Sequence, residues 1–470
     1  MGKQKKNCKV FTPPDIVRKM LDIIGYREDL YGKKVLENSC GDGQFLIEIV
    51  SRYIEDCHRN GYNNIQICKG LERDVVGFEI DEDTYRTCLH NLDSLLVKYS
   101  LPIVNWNIRR EDVLQLNLDT DFFYVIGNPP YITYSALPIE DRGFIKGAFE
   151  VCKDGKPDYY YAFIESAIKS MSNNGRLVYL IPSNFFKTHF SRKLREFMLP
   201  LLTDIYDYTE HKIFDSALTS SAIVVCDKSQ KVEEVNYHDV IIGNTSKVNK
   251  ETLKERWIFC PSISPKANTI KKVRFGDMFS ASSTIATLFN DAFIIRPEDN
   301  AHETIETEVL RMAVSPKSMA NKKIEYIIFP YYYNNEGNLQ RYSEEIFRAR
   351  FPHAVNHLQT FTKKLKARDS DETTKWFEYG RSQAITHLNQ KKLLLSTLIT
   401  DKVKIYELDE KTIPYSGIYI IAKPGYQLFD AKRILESEEF LNYVKIIGIH
   451  ANGTSKRISI RDINEYQFCE

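Results

Sequence analysis

Asn128-Pro129-Pro130-Tyr131 follows directly on the apolar run FFYVIG at 122–127. Neither proline has an N–H to give to a helix or a sheet, and each restricts its own φ and pushes the residue before it toward extended backbone. The chain must therefore leave a buried strand and enter a stiff, extended turn at this point. Such a turn is suited to holding Asn128 and Tyr131, on either side of the prolines, in fixed positions. A plain Pro-Pro loop cap would use the same residues for the turn alone.

The rest of the first half supplies a sheet for that strand. Short apolar runs at 33–37, 75–80, 103–108, 122–127, 176–181, 203–208 and 221–226 alternate with helical patterns at 13–24, 44–58, 82–98, 158–172 and 189–199. This is the rhythm of a mostly parallel sheet wound with helices on both faces. Thr12 is expected to cap the first helix and Pro13 to open it, because a hydroxyl accepts an orphan N–H and proline has none to orphan. The polar stretch DKSQKVEEVNYHD, from Asp227, predicts a boundary. The expectation is an α/β domain over 1–235 with seven strands, doubly wound, followed by an α+β domain over 236–470. The second half carries the β-like runs IEYIIFPYYY, KLLLSTLI and SGIYIIA and a basic helical pattern near 343–367.

Composition excludes several classes. With 470 residues, 43% hydrophobic and 27% charged, the chain is long enough for two cores and far from the composition of disorder. Its net charge of +1 gives no sign of a surface coated for nucleic acid, although the first half is slightly acidic and the second slightly basic. Nine scattered cysteines form no CxxC pair and no Cys/His ligand spacing, so neither a disulfide framework nor a metal site is expected. The charged start has no apolar core behind it and does not read as a signal peptide. No run approaches the ~20 apolar residues of a membrane span. The expectation is a cytoplasmic protein with no membrane partner.

Three further stretches fall at strand ends. Glu37-Asn38-Ser39-Cys40-Gly41-Asp42-Gly43 lies between a strand and a helix, where small residues let backbone approach a ligand; a plain strand-to-helix turn would look the same. Glu79, in Gly77-Phe78-Glu79-Ile80-Asp81, could accept both hydroxyls of a ribose or be a solvated strand-end acid. Asp112, in Arg110-Glu111-Asp112-Val113, could accept from an adenine amino group or belong to a surface loop.

Together with Phe11-Thr12-Pro13-Pro14, and in this order, the four stretches resemble motifs X, I, II, III and IV of the γ-type amino-methyltransferases that act on adenine in DNA within restriction-modification systems. The resemblance covers residues 8–226 and the layout of a following target-recognition domain. It departs from the family's usual wording at Asn38-Ser39, where Pro-Ala is usual. It implies a seven-stranded, mostly parallel sheet with a reversed hairpin at its edge, and S-adenosylmethionine as cofactor. Phe11, Thr12 and Pro13 would flank the cofactor's methionine part and Glu37, Cys40, Gly41 and Gly43 would form the wall of its pocket. Glu79, with Ile80, would meet the ribose, Asp112, with Val113, the adenine ring, and Asn128 would also border the cofactor. Asn128, Pro129, Pro130 and Tyr131 would be catalytic, with Phe214 a second stacking ring; a core phenylalanine is the other reading of Phe214.

The exocyclic nitrogen of adenine is a weak nucleophile, because its lone pair is delocalised into the ring. Asn128 Oδ1 and the Pro129 carbonyl, aimed at its two hydrogens, would turn that lone pair toward the methyl donor, while Tyr131 receives the flipped base. The second domain would read a specific sequence in double-stranded DNA. Lys363, Lys364, Lys366 and Arg368 are candidates for phosphates, Arg381 and Gln383 for base edges, and Lys456 and Arg457 for a backbone-contact loop. The enzyme is expected to act as a monomer beside a separately encoded restriction endonuclease; with the motifs starting at residue 11, no nuclease domain is expected before them. The alternatives are an N4-cytosine DNA or RNA amino-methyltransferase, a protein-glutamine methyltransferase, and a DNA-binding subunit with a vestigial core.

Overall fold

The computed structural model describes residues 12–118, 120–209, 213, 220–259, 272–299, 303–451 and 454–469. Phe11 and Phe214 lie outside the described residues. The chain divides into two compact units, Met1–Ser264 and Pro265–Glu470.

The first unit is built on one mixed sheet. Its strands are β1 (Val35–Glu37), β2 (Val75–Phe78), β3 (Asn107–Arg109), β4 (Phe122–Gly127), β5 (Met171–Pro182), β6 (Leu202–Tyr208), β7 (Ser221–Asp227), β8 (Glu234–Asp239) and β9 (Asn244–Asn249). They lie in the order β3-β2-β1-β4-β5-β7-β6-β8-β9. Strands β3 to β5 run parallel, β7 is antiparallel to both neighbours, and β6 returns to the common direction. Seven strands are expected and nine are present among the described residues. The additional strands are β8, parallel to β6, and β9, antiparallel to β8. Their residues are largely polar and partly exposed at the outer end of the sheet, where β9 is the edge strand, so they carry no apolar run. For the same reason the first unit closes at Ser264, beyond the boundary expected at 235.

Helices cover both faces: α1 (Pro14–Ile23), α2 (Gln44–Arg59), α3 (Asn64–Asp74), α4 (Glu82–Lys98), α5 (Ile139–Ala148), α6 (Tyr160–Ser170) and α7 (Arg192–Met198). Along β5, Val178 and Leu180 join the core under α1, α2 and α4, while Leu177, Tyr179 and Ile181 join the core under α6 and α7. That period of two is why these strands read as nearly continuous apolar runs: both faces are buried. Two helices were not anticipated. Helix α3 opens on a capping box, in which the Asn63 and Gln66 side chains each accept the other's backbone N–H at 3.0 and 2.9 Å. Helix α5 lies in the long segment after the Pro-Pro turn.

The expected start of α1 is displaced by one residue. Pro13 takes the capping position, Pro14 opens the helix, and no side chain caps it; the Thr12 hydroxyl is engaged elsewhere. The second unit contains two four-stranded sheets. One joins Phe279–Ser283, Ile418–Ala422, Lys392–Leu395 and Ile405–Leu408; the other joins Ile294–Ile295, Glu325–Ile328, Leu310–Val314 and Ile413–Pro414. The short helices Glu344–Arg350, Pro352–Gln359 and Thr362–Lys366 pack with an aromatic-rich core. Among the described residues, no helix is long and apolar enough to cross a membrane, and no cluster of His, Cys, Asp and Glu could hold a metal ion.

Candidate active site

Strand order reverses at β1, which has β2 on one side and β4 on the other, and the crevice beyond the carboxyl ends at such a point is where open α/β sheets bind ligands. Both distinctive turns of the sequence emerge there. After β1 the backbone folds tightly: Cys40 N–H donates to the Phe78 carbonyl and Gly43 N–H to the Cys40 carbonyl, each at 2.9 Å. Gly41 and Gly43 have φ of 55° and 92°. A Cβ on Gly43 would lie 2.9 Å from Cys88 Sγ, so only glycine fits both the backbone and the space.

Three acids stand at the carboxyl ends of β1, β2 and β3. Glu79, just beyond β2, accepts the Gly41 N–H at 3.1 Å and the Asp81 N–H at 2.7 Å, locking the end of β2 to the turn after β1. Burial raises its pKa, against the lowering effect of those N–H donors. Glu37, the last residue of β1, is only 2% exposed and its Oε2 has no partner. Burial, with Cys88, Asp42 and Glu79 close by, holds its carboxyl far above the usual carboxylate range. Asp112 accepts the Leu114 N–H at 3.1 Å and so caps the short turn Val113–Gln115 that follows β3. Val113 is buried in the core, while Ile80 is half-buried beside Glu79.

The departure at Asn38-Ser39 has a structural use. Buried Asn38 accepts the Tyr179 hydroxyl and donates to the Phe163 carbonyl at 3.4 Å, and Ser39 Oγ donates to the Asn128 backbone carbonyl at 3.3 Å. The two turns are thereby stitched together. Asn128 Nδ2 donates to Thr12 Oγ1 at 3.1 Å, which is where the hydroxyl expected to cap α1 has gone. Asn128 Oδ1 is buried and accepts nothing. A buried amide oxygen left without a donor costs on the order of 1–3 kcal/mol. Tyr131 is pinned at its far end, its hydroxyl donating to the Leu180 carbonyl at 2.9 Å, and its ring meets Tyr160 edge-on at 6.2 Å.

Residues that the motifs did not mark complete the turn. The Ile132 carbonyl accepts the Tyr159 N–H at 2.9 Å, and Asp158 Oδ1 accepts the Tyr134 N–H at 3.3 Å. Burial pushes Asp158 up to about 6. A signal was present in Lys156-Pro157-Asp158 immediately before the apolar α6, where proline and aspartate mark a turn into a helix.

The basic candidates of the second unit divide. Lys363, Lys364 and Lys366 are exposed, with Lys364 Nζ 5.2 Å from the Phe289 ring centroid. Arg381 and Gln383 are exposed too, Gln383 donating to Asp371 at 2.9 Å, and so is Arg457. Arg368 is different. Its guanidinium donates to the carbonyls of Leu365, Thr287, Trp376 and Glu378 at 2.6 to 3.1 Å, so it ties the chain together and is not free for phosphate. Lys456 is buried with its Nζ against His450, again committed internally.

A model for the Eco57I restriction-modification methylase family matches residues 58–214. The type II methyltransferase M.BstVI of Geobacillus stearothermophilus is 24% identical over 482 residues, covering 91% of this chain and 84% of that protein. The type II restriction enzyme and methyltransferase RM.Eco57I of Escherichia coli is 21% identical, covering 93% of this chain and 54% of that protein. Among solved structures, the type IIL restriction-modification enzyme MmeI in complex with DNA superposes with a TM-score of 0.63 at 14% identity, covering 96% of this chain and 64% of that one. This likeness is one of fold. The chain thus spans most of the first relative but less than two thirds of the other two.

Proposed function

We propose, from the premise that the chain belongs to the restriction-modification methylases of the γ type, that it transfers a methyl group to the N6 amino group of an adenine flipped out of duplex DNA. The observation that carries this reading is the buried, unpartnered Asn128 Oδ1 at the topological switch point. An acceptor kept out of water without a donor is poised for a substrate N–H. An exocyclic amino group offers two, one for Asn128 Oδ1 and one for the Pro129 carbonyl, which has an acceptor whether or not its nitrogen can donate. With Nδ2 donating to Thr12, the amide leaves Oδ1 for a substrate N–H. Tyr131, immobilised by the Leu180 carbonyl, offers a rigid aromatic surface to the base. Flipping costs a few kcal/mol of stacking and pairing, which such contacts offset.

The residues of the β1 turn fit S-adenosylmethionine. Gly41 and Gly43 let backbone close in, the carboxylate of Glu79 retains lone pairs for ribose hydroxyls beyond its two N–H donors, and the unpartnered Glu37 Oε2 is open to a further hydrogen bond. The cofactor would supply an already activated methyl on a sulfonium, so no enzyme nucleophile is called for, and the residues act by alignment. The second unit would read the target sequence through Arg381 and Gln383, with Lys363, Lys364, Lys366 and Arg457 on phosphates, beside a separately encoded nuclease. Asn128→Ala tests the core of the reading: methyl transfer should fall about 10²–10³-fold, as when a preorganised polar contact to a transition state is lost, while calorimetric affinity for S-adenosylmethionine is retained. Near-normal turnover would remove Asn128 from the chemistry.

A further inference from the structure

Helix α5 and the segment that precedes it place two cations on one ring next to the catalytic turn. Tyr134 lies three residues beyond Tyr131, its backbone N–H held by Asp158. The guanidinium carbon of Arg142 and the Nζ of Lys146 each lie 5.2 Å from the centroid of the Tyr134 ring. Arg142 is anchored through Nε to the Leu137 carbonyl at 2.9 Å and through Nη2 to the Ser135 carbonyl at 2.8 Å, which leaves Nη1 uncommitted. Three other lysines of this region are ion-paired: Lys153 with Glu150, Lys169 with Glu165, and Lys193 with Asp154 at 2.9 Å. Arg142 and Lys146 are in none of the ion pairs of the described residues, and Asp154, paired with Lys193, feels the Lys146 charge from farther away. Glu140 and Asp141 sit in the first turn of α5, where they favour the helix start.

Two like charges one helical turn apart over one ring repel weakly, and an anion held between them would turn that repulsion into attraction. We propose that Arg142 and Lys146 clamp a phosphate of the DNA strand flanking the flipped adenosine, with Tyr134 as the platform that sets their spacing. The inference rests on the methyltransferase reading above and deepens it. A nucleotide leaving the stack must turn its backbone, and a clamp joined by a few residues to the base-binding turn fixes phosphate and base to one rigid body. This contact reads no sequence; it belongs to the first unit and adds to any grip of the second.

The test uses the full-length protein and a short duplex carrying its methylation site, synthesised with phosphates or with neutral methylphosphonates on both sides of the target adenine. Wild-type affinity should fall about tenfold on the methylphosphonate duplex. Lys146→Gln should bind the ordinary duplex about tenfold more weakly and lose little more on the methylphosphonate one. Its affinity for S-adenosylmethionine should be unchanged, which reports an intact fold. Arg142→Lys, which keeps the charge, should retain most of the wild type's sensitivity to the modified phosphates. Equal methylphosphonate losses in wild type and Lys146→Gln, or none in either, would overturn the clamp. A wild-type protein that methylates no duplex would instead overturn the reading beneath it.

Discussion

The switch-point edge of the first unit leaves two buried acceptors open, while two basic side chains of the second unit are taken up by the protein itself. At the edge, Asn128 Oδ1 and Glu37 Oε2 are buried and left without partners. In the second unit, Arg368 gives its guanidinium to four carbonyls and Lys456 packs against His450. An unsatisfied buried acceptor is expensive, and a ligand, an ion or an ordered water can complete it; at the switch point the two such atoms face the crevice where open sheets bind ligands. A basic side chain carries no such signature, since the same residue types serve phosphate, solvent or the protein's own loops.

This contrast can be broken or sharpened by substitution. Arg368→Ala removes the donors to four carbonyls and should cost about 3 kcal/mol of stability in the second unit, read as a lowered unfolding midpoint with cofactor affinity unchanged; an unaltered midpoint would return Arg368 to the candidates for DNA. Arg381→Ala should leave stability alone and weaken discrimination at one base position by about 1–3 kcal/mol, measured by competition between duplexes that differ at single positions. A uniform loss across all sequences would make Arg381 a phosphate contact. The smallest effect concerns the edge itself: Thr12→Val deprives Asn128 Nδ2 of its acceptor and should slow single-turnover transfer by roughly fivefold, the equivalent of about 1 kcal/mol. No change would mean that Asn128 needs no orienting partner.

What was legible in the sequence was local. The motifs after β1, β2 and β4 sit at the ends of strands that are buried on both faces, so an apolar run followed by small, acidic or proline-rich residues marks both the strand and its turn. Thr12 was read as a helix cap because the sequence shows only its neighbours; its partner Asn128 is 116 positions away. Asn38 stood out as a departure, and only the fold supplies the Tyr179 hydroxyl and Phe163 carbonyl that give it a use. Strands β8 and β9 are not legible because the outer, partly exposed end of the sheet carries no apolar pattern. Arg368 and Lys363 look alike in sequence, and the difference between them lies in the carbonyls that chain folding brings within reach of one of them. Phe214, the second stacking candidate, falls outside the described residues.

The central claim is that the switch-point edge methylates the exocyclic nitrogen of adenine in DNA. The most direct measurement is single-molecule sequencing of unmethylated DNA after incubation with the purified protein and S-adenosylmethionine. The account predicts N6-methyladenine at one recurring sequence context and none with Asn128→Ala. N4-methylcytosine in place of methyladenine, or DNA left unmodified by a protein that binds the cofactor, would contradict it.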